Sequence, residues 1–387
     1  MTIAVHYDPL AAETLRNPYP LYAHLRETAP VFWHERMECW VLTRYRDCQE
    51  VLRNNDVFAS DWRRVGEDTP EPLLGLQALD PPDHTPLRSL FTNALHQQDL
   101  EAIAARGKAL AGRLLAGVAD RPRTDLIADL VAPVALATVS DLVGIEPPDL
   151  AAFDPISDAI VRSMDAGLDP SARAPGVAAR ARLNELVESW FAADPRPGML
   201  ADVAHLRESV DVPDHFVRNT ARIVFQSGYS SMVAGAGNAL LALLENPGSL
   251  AALRDPALRG SGFDELMRYD SSVQGTSRAA VATTVIGGVT VERGQVVLML
   301  FGAANRDPEK FPDPDRLLLD RSPNQHMSFG RGPHACVGNL FTRAILQMLI
   351  DALLEHPEPR LVEPPVRKPT ATVRYLATLP VSFARKG

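Results

Sequence analysis

The chain has 387 residues, of which 46% are hydrophobic and 22% charged, with a formal net charge of −9. That apolar share supplies a large buried core, and the charged share is ordinary for a globular domain. The acidic balance argues against a nucleic-acid partner, because holding phosphates requires a basic field.

Met1 to Leu10 has neither the basic nor the apolar stretch of a secretory leader. Pro18 to Glu27 reads as a helix, and the alternation in Cys39-Trp40-Val41-Leu42-Thr43 as a strand. The polar, proline- and glycine-bearing stretch Asp56 to Gln77 predicts a long loop. Apolar residues then recur every three or four positions through residues 85–165, the period of packed helices. Within them, Leu126 to Ile145 is the most apolar run, but Asp129, Pro133 and Asp141 interrupt it. It reads as a buried helix rather than a membrane span. Asp165 to Gly176 predicts an inter-helix loop of the kind that acts as a lid. Pro213 to Glu245 predicts one helix of roughly 50 Å, started by Val212-Pro213-Asp214 and stopped by Asn246-Pro247-Gly248. Ser277 to Phe301 reads as strands with a Gly287-Gly288 turn, 339–355 as an amphipathic helix, and Val373 to Phe383 as a strand pair. The sum is a mainly α chain with a small β portion, in one domain over 1–387.

Three cysteines, Cys39, Cys48 and Cys336, are too few and too widely spaced for a disulfide framework or a structural zinc site. A reducing cytoplasm, no membrane and a monomer are the simplest expectations. Cys39 and Cys48 read as small buried hydrophobes. Cys336 differs. It lies in Phe329-Gly330-Arg331-Gly332-Pro333-His334-Ala335-Cys336-Val337-Gly338, directly before the 339–355 helix. Helix N-terminal N–H groups lower a thiol pKa, and glycines let backbone approach a flat ligand closely. The pattern fits a thiolate presented to a large cofactor.

This run resembles the haem-binding signature of the cytochrome P-450 family, Phe-Gly-x-Gly-x-His-x-Cys-x-Gly, at every fixed position. The resemblance implies the single-domain fold of that family, with haem b (iron protoporphyrin IX) between the long central helix and the cysteine-loop helix. It implies Cys336 as the iron ligand, in the loop formed by Phe329, Gly330 and Gly338. A thiolate there pushes electron density onto iron and favours oxygen–oxygen cleavage, the role given to it in this enzyme class. Haem carries two carboxylates that need cationic partners when buried. The segment Asp80-Pro81-Pro82-Asp83-His84-Thr85-Pro86-Leu87-Arg88 resembles the family's helix facing the haem, which implies His84 and Arg88 as contacts. Arg278 and His334 match two more. Glu265-Leu266-Met267-Arg268 resembles the family's Glu-x-x-Arg pair, with Arg316 of Phe311-Pro312-Asp313-Pro314-Asp315-Arg316 expected as third member of a buried ion network. In order and spacing the resemblance runs from about Tyr7 to Phe383.

The chain departs from the family in the long helix. Aligned through Gly237-Asn238-Ala239-Leu240, the usual Gly-x-acid-Thr reads Gly228-Tyr229-Ser230-Ser231. The acid and alcohol organise water that delivers protons. Serine retains hydrogen-bonding capacity but lacks threonine's stiffening β-branch, and Ser230 supplies no carboxylate. Gly228 predicts a local distortion that makes room for oxygen. The departure suggests oxidative coupling, ring formation or substrate-assisted oxidation instead of simple hydroxylation. An ordinary hydroxylating monooxygenase, a peroxide-dependent oxygenase and a non-enzymatic haem sensor remain alternatives. For the peroxide reading the expected arginine is absent after Gly228, and Arg222 precedes it. The resemblance places Phe225, Gln226, Tyr229, Gln274 and Thr276 around a small-molecule substrate. The chain carries no flavin or iron–sulfur segment, so electrons are expected from a ferredoxin and its reductase. Arg331 and Arg343 are candidate docking charges, and the setting is expected to be bacterial secondary metabolism.

Overall fold

The computed structural model describes residues 6–194 and 196–383. Helices dominate. The central one, Asp214–Glu245, has 32 residues, opens with an acidic first-turn residue after Pro213 and stops at Asn246. From Met232 to Leu243 every residue is buried, because neighbouring helices, the strand Leu376–Thr378 and adjoining loops pack around it. Leu100–Val118, Ala132–Val143 and Asn339–Leu354 pack beside it in the main hydrophobic core. Leu150–Arg162 and Arg173–Ala192 cross over its first half. Among the described residues no helix is long and apolar enough to cross a membrane.

The β portion is small. A five-stranded sheet has the order Val31–His34, Cys39–Leu42, Val296–Leu300, Gly275–Ala280, Phe58–Ala59. Its one parallel pairing joins Cys39–Leu42 to Val296–Leu300. Thr284–Ile286 and Val289–Val291 form a hairpin. Its turn residues Gly287 and Gly288 have φ 56° and 84°, the left-handed pair that a two-residue hairpin turn demands. Cys39 and Cys48 are both buried, as expected of small apolar residues.

Three local expectations change. Helix resumes at Arg173, so the loop after Asp165 is shorter than its composition suggests. Asp165 pins that turn by accepting from Ala371 N (2.8 Å), Thr372 N (3.0 Å) and Thr372 Oγ1 (2.6 Å). The terminal strands Leu376–Thr378 and Pro380–Ser382 do not pair with each other. The first joins Val366–Arg367; the second lies between Thr124–Asp125 and Arg360–Leu361. Finally, the central helix runs unbroken through Gly228. A Cβ there would stand 2.6 Å from Val139 Cγ2, so the glycine serves close helix packing, not a distortion.

Candidate active site

The cysteine loop is built from backbone. Cys336 N donates to Phe329 O at 2.7 Å, and Gly330 N to Met327 O at 2.8 Å. Gly330 and Gly332 have φ 62° and 72°. At Gly332 a Cβ would meet Leu52 O at 2.3 Å, so this position excludes a side chain on two counts. The Phe329 ring lies parallel to that of Phe263, with centroids 6.1 Å apart. Asn339–Leu354 begins just past Gly338.

Cys336 has exposed surface, yet protein surrounds it almost completely. Burial raises the thiol pKa, while the Gly338 N–H and the charge of Arg88 pull it back. A metal ion at the sulfur would displace the proton and complete that reversal.

Around this sulfur gathers a cluster of cationic and imidazole groups. The His84 and His334 rings lie 4.5 Å apart. His334 Nε2 sits 3.0 Å from Asp80 Oδ1. Asp80 also accepts from Ser60 N, Asp61 N and Arg64 Nη1. Burial alone would raise its carboxyl, but these partners overcome burial and bring it down to about 2. Arg88 Nη2 donates to Ala335 O at 2.8 Å, tying its helix to the cysteine loop. Arg278 is buried and bonds Ser277 O at 2.7 Å. Burial, then the charges of His334 and Arg88, lower the His84 pKa to about 4. Among the described residues, His84 Nε2 is buried without a hydrogen-bond partner.

An orphaned imidazole nitrogen beside an excess of positive charge suits an anionic group. Two guanidinium and two imidazole side chains next to a free, accessible thiol are a donor set that fits haem and its two carboxylates. His84, Arg88, His334 and Cys336 come together directly, and Arg278 joins them through the charge of Asp80. Sequence reasoning quoted Asp80 but gave it no part, although its place at the head of the His84 motif was the available signal.

The supporting ion network differs from expectation. Glu265 and Arg268 are fully buried and paired, with Arg268 Nε 2.7 Å from Glu265 Oε2. The third member is Arg321, whose Nε lies 2.9 Å from the same oxygen. Arg316 is 70% exposed and, among the described residues, pairs only with Asp313 at 3.7 Å, contributing its backbone oxygen to Arg268. Both arginines belong to one loop, and spacing alone does not say which side chain turns inward. Arg321 also bonds Pro312 O and Asp313 O, so it closes the loop on itself.

On the central helix, Ser230 Oγ donates to Gln226 O at 2.9 Å, inside its own helix. Among the described residues the Ser231 and Ser227 hydroxyls have no protein partner, and both residues are half-buried. Ser227 was missed by sequence reasoning; it lies one helical turn before Ser231, a spacing that would have found it. The suggested substrate-lining residues mostly face packing instead. Phe225 is sealed between Phe153 and Trp190. Gln226 bonds Ser157, Tyr229 bonds Asp154 at 2.7 Å, and Gln274 bonds Tyr22 and Ser271. Phe225, Gln226 and Tyr229 turn toward neighbouring elements because the helix face that carries them is covered, while Gln274 sits just before the strand Gly275–Ala280 and is held by its own hydrogen bonds. Thr276 is half-buried and accepts from Arg278 at 3.3 Å. The two docking arginines are also engaged. Arg331 bonds Gln325 O and His326 O; Arg343 pairs with Asp264 and lies over Phe263.

Comparison with known proteins agrees with this geometry. The cytochrome P450 family model matches residues 262–376, a span that holds the Glu265 network and the cysteine loop. Cytochrome P450 monooxygenase PikC of Streptomyces venezuelae is 30% identical over 392 residues, covering 97% of this chain and 93% of that protein. Nocardicin C N-oxygenase of Nocardia uniformis subsp. tsuyamanensis is 32% identical over 401 residues, covering 97% of each. The structure of CYP109E1 from Bacillus megaterium in complex with testosterone superposes with a TM-score of 0.88 at 25% identity, covering 97% of this chain and 100% of that one. With its sulfur, its cationic cluster and relatives matched nearly end to end, the chain belongs to the cytochrome P450 family and is an oxidoreductase of that family.

Proposed function

We propose that this P450 oxidises a small organic molecule of bacterial secondary metabolism, using dioxygen and electrons from a ferredoxin, and that the substrate helps to supply protons. Haem b, bound through Cys336, supplies the activation of dioxygen and the one-electron oxidation of substrate. His84, Arg88, Arg278 and His334 orient it by neutralising its carboxylates. The Glu265–Arg268–Arg321 network holds the loop that carries the sulfur.

One observation carries the reading of protons. The central helix has no acid between Asp214 and Glu245, and the Ser230 hydroxyl is spent on Gln226 O. No carboxylate of this helix can pass a proton inward. Ser231 keeps a free hydroxyl that can accept from water and donate onward. A substrate bearing its own polar hydrogens, such as an indole, phenol, amide or alcohol, completes the supply. Such a substrate favours oxidative coupling or ring formation, in which hydrogen atoms leave and oxygen is not inserted.

The test is product analysis under isotopically labelled dioxygen, with Ser231→Ala assayed beside the wild type. Unlabelled coupled product, and a drop in product formed per electron consumed in Ser231→Ala, support the reading. Labelled hydroxylated product with unchanged coupling in Ser231→Ala returns the enzyme to ordinary hydroxylation. The names of PikC and nocardicin C N-oxygenase make oxygen insertion the second reading.

A further inference from the structure

One stripe of the central helix carries hydroxyls that no protein group engages. Ser227, Ser231 and Gly235 follow one another at four-residue steps and so share a face. Both serines are half-buried, and among the described residues neither Oγ has a protein partner. Neither is sealed off, unlike the buried, unpartnered Oγ of Ser140 on Ala132–Val143, so each has surface that a water can touch. At Gly235 the stripe meets the end of Pro256–Tyr269 and the turn after it, where an added Cβ would stand 3.9 Å from both Met267 Cε and Ser272 Oγ. Ser272 is half-buried, and among the described residues its hydroxyl is likewise accessible and unpartnered. The same wall carries the cysteine loop: Ser328 Oγ donates to Met267 O at 2.7 Å and lies 2.7 Å from Ser271 Oγ. The stripe therefore looks toward the wall that holds Cys336, away from the side covered at Phe225 and Tyr229.

Gly235 has no packing reason to be glycine. At Gly228 and Gly237 an added Cβ would press to 2.6 Å and 2.9 Å against Val139 and Ile127, but at Gly235 it would make only ordinary contacts. Alanine is the better helix former, so a mid-helix glycine where alanine fits reserves the space of a side chain. Cβ atoms four residues apart on a helix stand about 5–6 Å from each other. That is twice an O–H···O bond of about 2.8 Å, so a single water spans Ser227 and Ser231. A second water, in the space beside Gly235, reaches Ser231 and Ser272. Each position offers the two polar partners that an ordered water needs. We propose that Ser227, Gly235 and Ser272, with Ser231, hold a file of ordered water along the central helix, and that this file delivers protons in place of the acid the helix lacks. The inference deepens the reading of this chain as a substrate-oxidising P450 and rests on it. Each hydroxyl accepts a hydrogen bond on one side and donates one on the other. One proton enters the file at one end and another leaves at the other, with no side chain changing charge. Ser227 and Ser272 are positioning residues, acting through the water they hold.

The experiment locates ordered water in crystals of the haem-loaded enzyme, as wild type, Ser227→Ala and Gly235→Ala. Wild type should show one water bonded to both Ser227 Oγ and Ser231 Oγ, and another on Ser272 Oγ beside Gly235. The first should be lost in Ser227→Ala and the second in Gly235→Ala. Turnover is then followed with a ferredoxin, its reductase and indole as the probe. The ratio of hydrogen peroxide released to electrons recovered as product or water should rise about twofold or more in both variants, since misdirected protons free peroxide. Gly235→Ala should nevertheless melt at or above the wild-type temperature, which separates lost water from lost fold. Gly260→Ala, the same exchange at an open helix position, should melt higher with an unchanged ratio. Should Gly235→Ala fold poorly, Ser227→Ala decides alone. A wild-type crystal in which no water joins two of the three hydroxyls overturns the proposal, as does an unchanged peroxide ratio in both variants. Both results leave the thiolate–carbon monoxide band in place; a wild-type protein without that band would instead refute the parent reading.

Discussion

Replacing Arg321 by alanine tests the ion network that sets the cysteine loop. The Glu265 carboxylate accepts from Arg268 Nε and Nη2, Arg321 Nε, Asn324 Nδ2 and Leu318 N. Arg321→Ala removes one of two cations from a fully buried acid and strips donors from Pro312 O and Asp313 O. Breaking a buried pair costs about 3–5 kcal/mol. Arg268 still neutralises Glu265, which places the cost near the lower end, about 3 kcal/mol. Arg316→Ala, by contrast, removes an exposed side chain and should lie within about 0.5 kcal/mol of wild type. Urea unfolding followed by circular dichroism gives the stability, and visible absorbance through the same titration gives haem retention. Arg321→Ala should unfold at clearly lower urea and lose haem earlier; Arg316→Ala should track wild type. Equal losses in both variants, or a silent Arg321→Ala, would refute the assignment of the third member.

Cys336→Ala should abolish the thiolate–carbon monoxide band of the reduced protein, and retention of that band would remove Cys336 as ligand. Gly228→Ala should lower the melting temperature, since overpacking against Val139 costs about 1–3 kcal/mol and helix propensity returns at most about 1 kcal/mol. Gly260→Ala is the control. It is exposed in the helix Pro256–Tyr269 with nothing within 4 Å of its added Cβ, and should gain about 0.5–1 kcal/mol. Asp270 predicts an acid limit. Burial would raise its carboxyl, but Arg374 and Arg367, each at 2.8 Å, with the Tyr19 hydroxyl, bring it down to about 2. A depressed carboxyl contributes stability that is complete above its unfolded value near 4 and is lost as pH falls toward 2. Asp270→Asn should therefore flatten the stability profile between about pH 4 and pH 2, as measured by urea midpoints; an unchanged slope would show that other groups carry it.

Sequence alone determined the features that depend on local chain chemistry. The central helix was legible because Pro213-Asp214 and Asn246-Pro247-Gly248 bound an uninterrupted helical period. The Gly287-Gly288 hairpin was legible because only glycine takes two left-handed positions in succession without cost. Cys336 stood out because its motif is contiguous, and backbone geometry within ten residues sets how the sulfur is presented. What only the tertiary structure decided involves residues far apart in the chain. Arg321 and Arg316 sit in one loop with the same side-chain chemistry, and only the position of Glu265, over fifty residues earlier, selects between them. Gly228 read as a flexible point until Val139 was seen against it. Phe225, Gln226 and Tyr229 read as pocket residues until Leu150–Arg162 and Arg173–Ala192 covered their face. No local pattern records such neighbours, because a side chain's surroundings are fixed only when elements distant in the chain take their places in space.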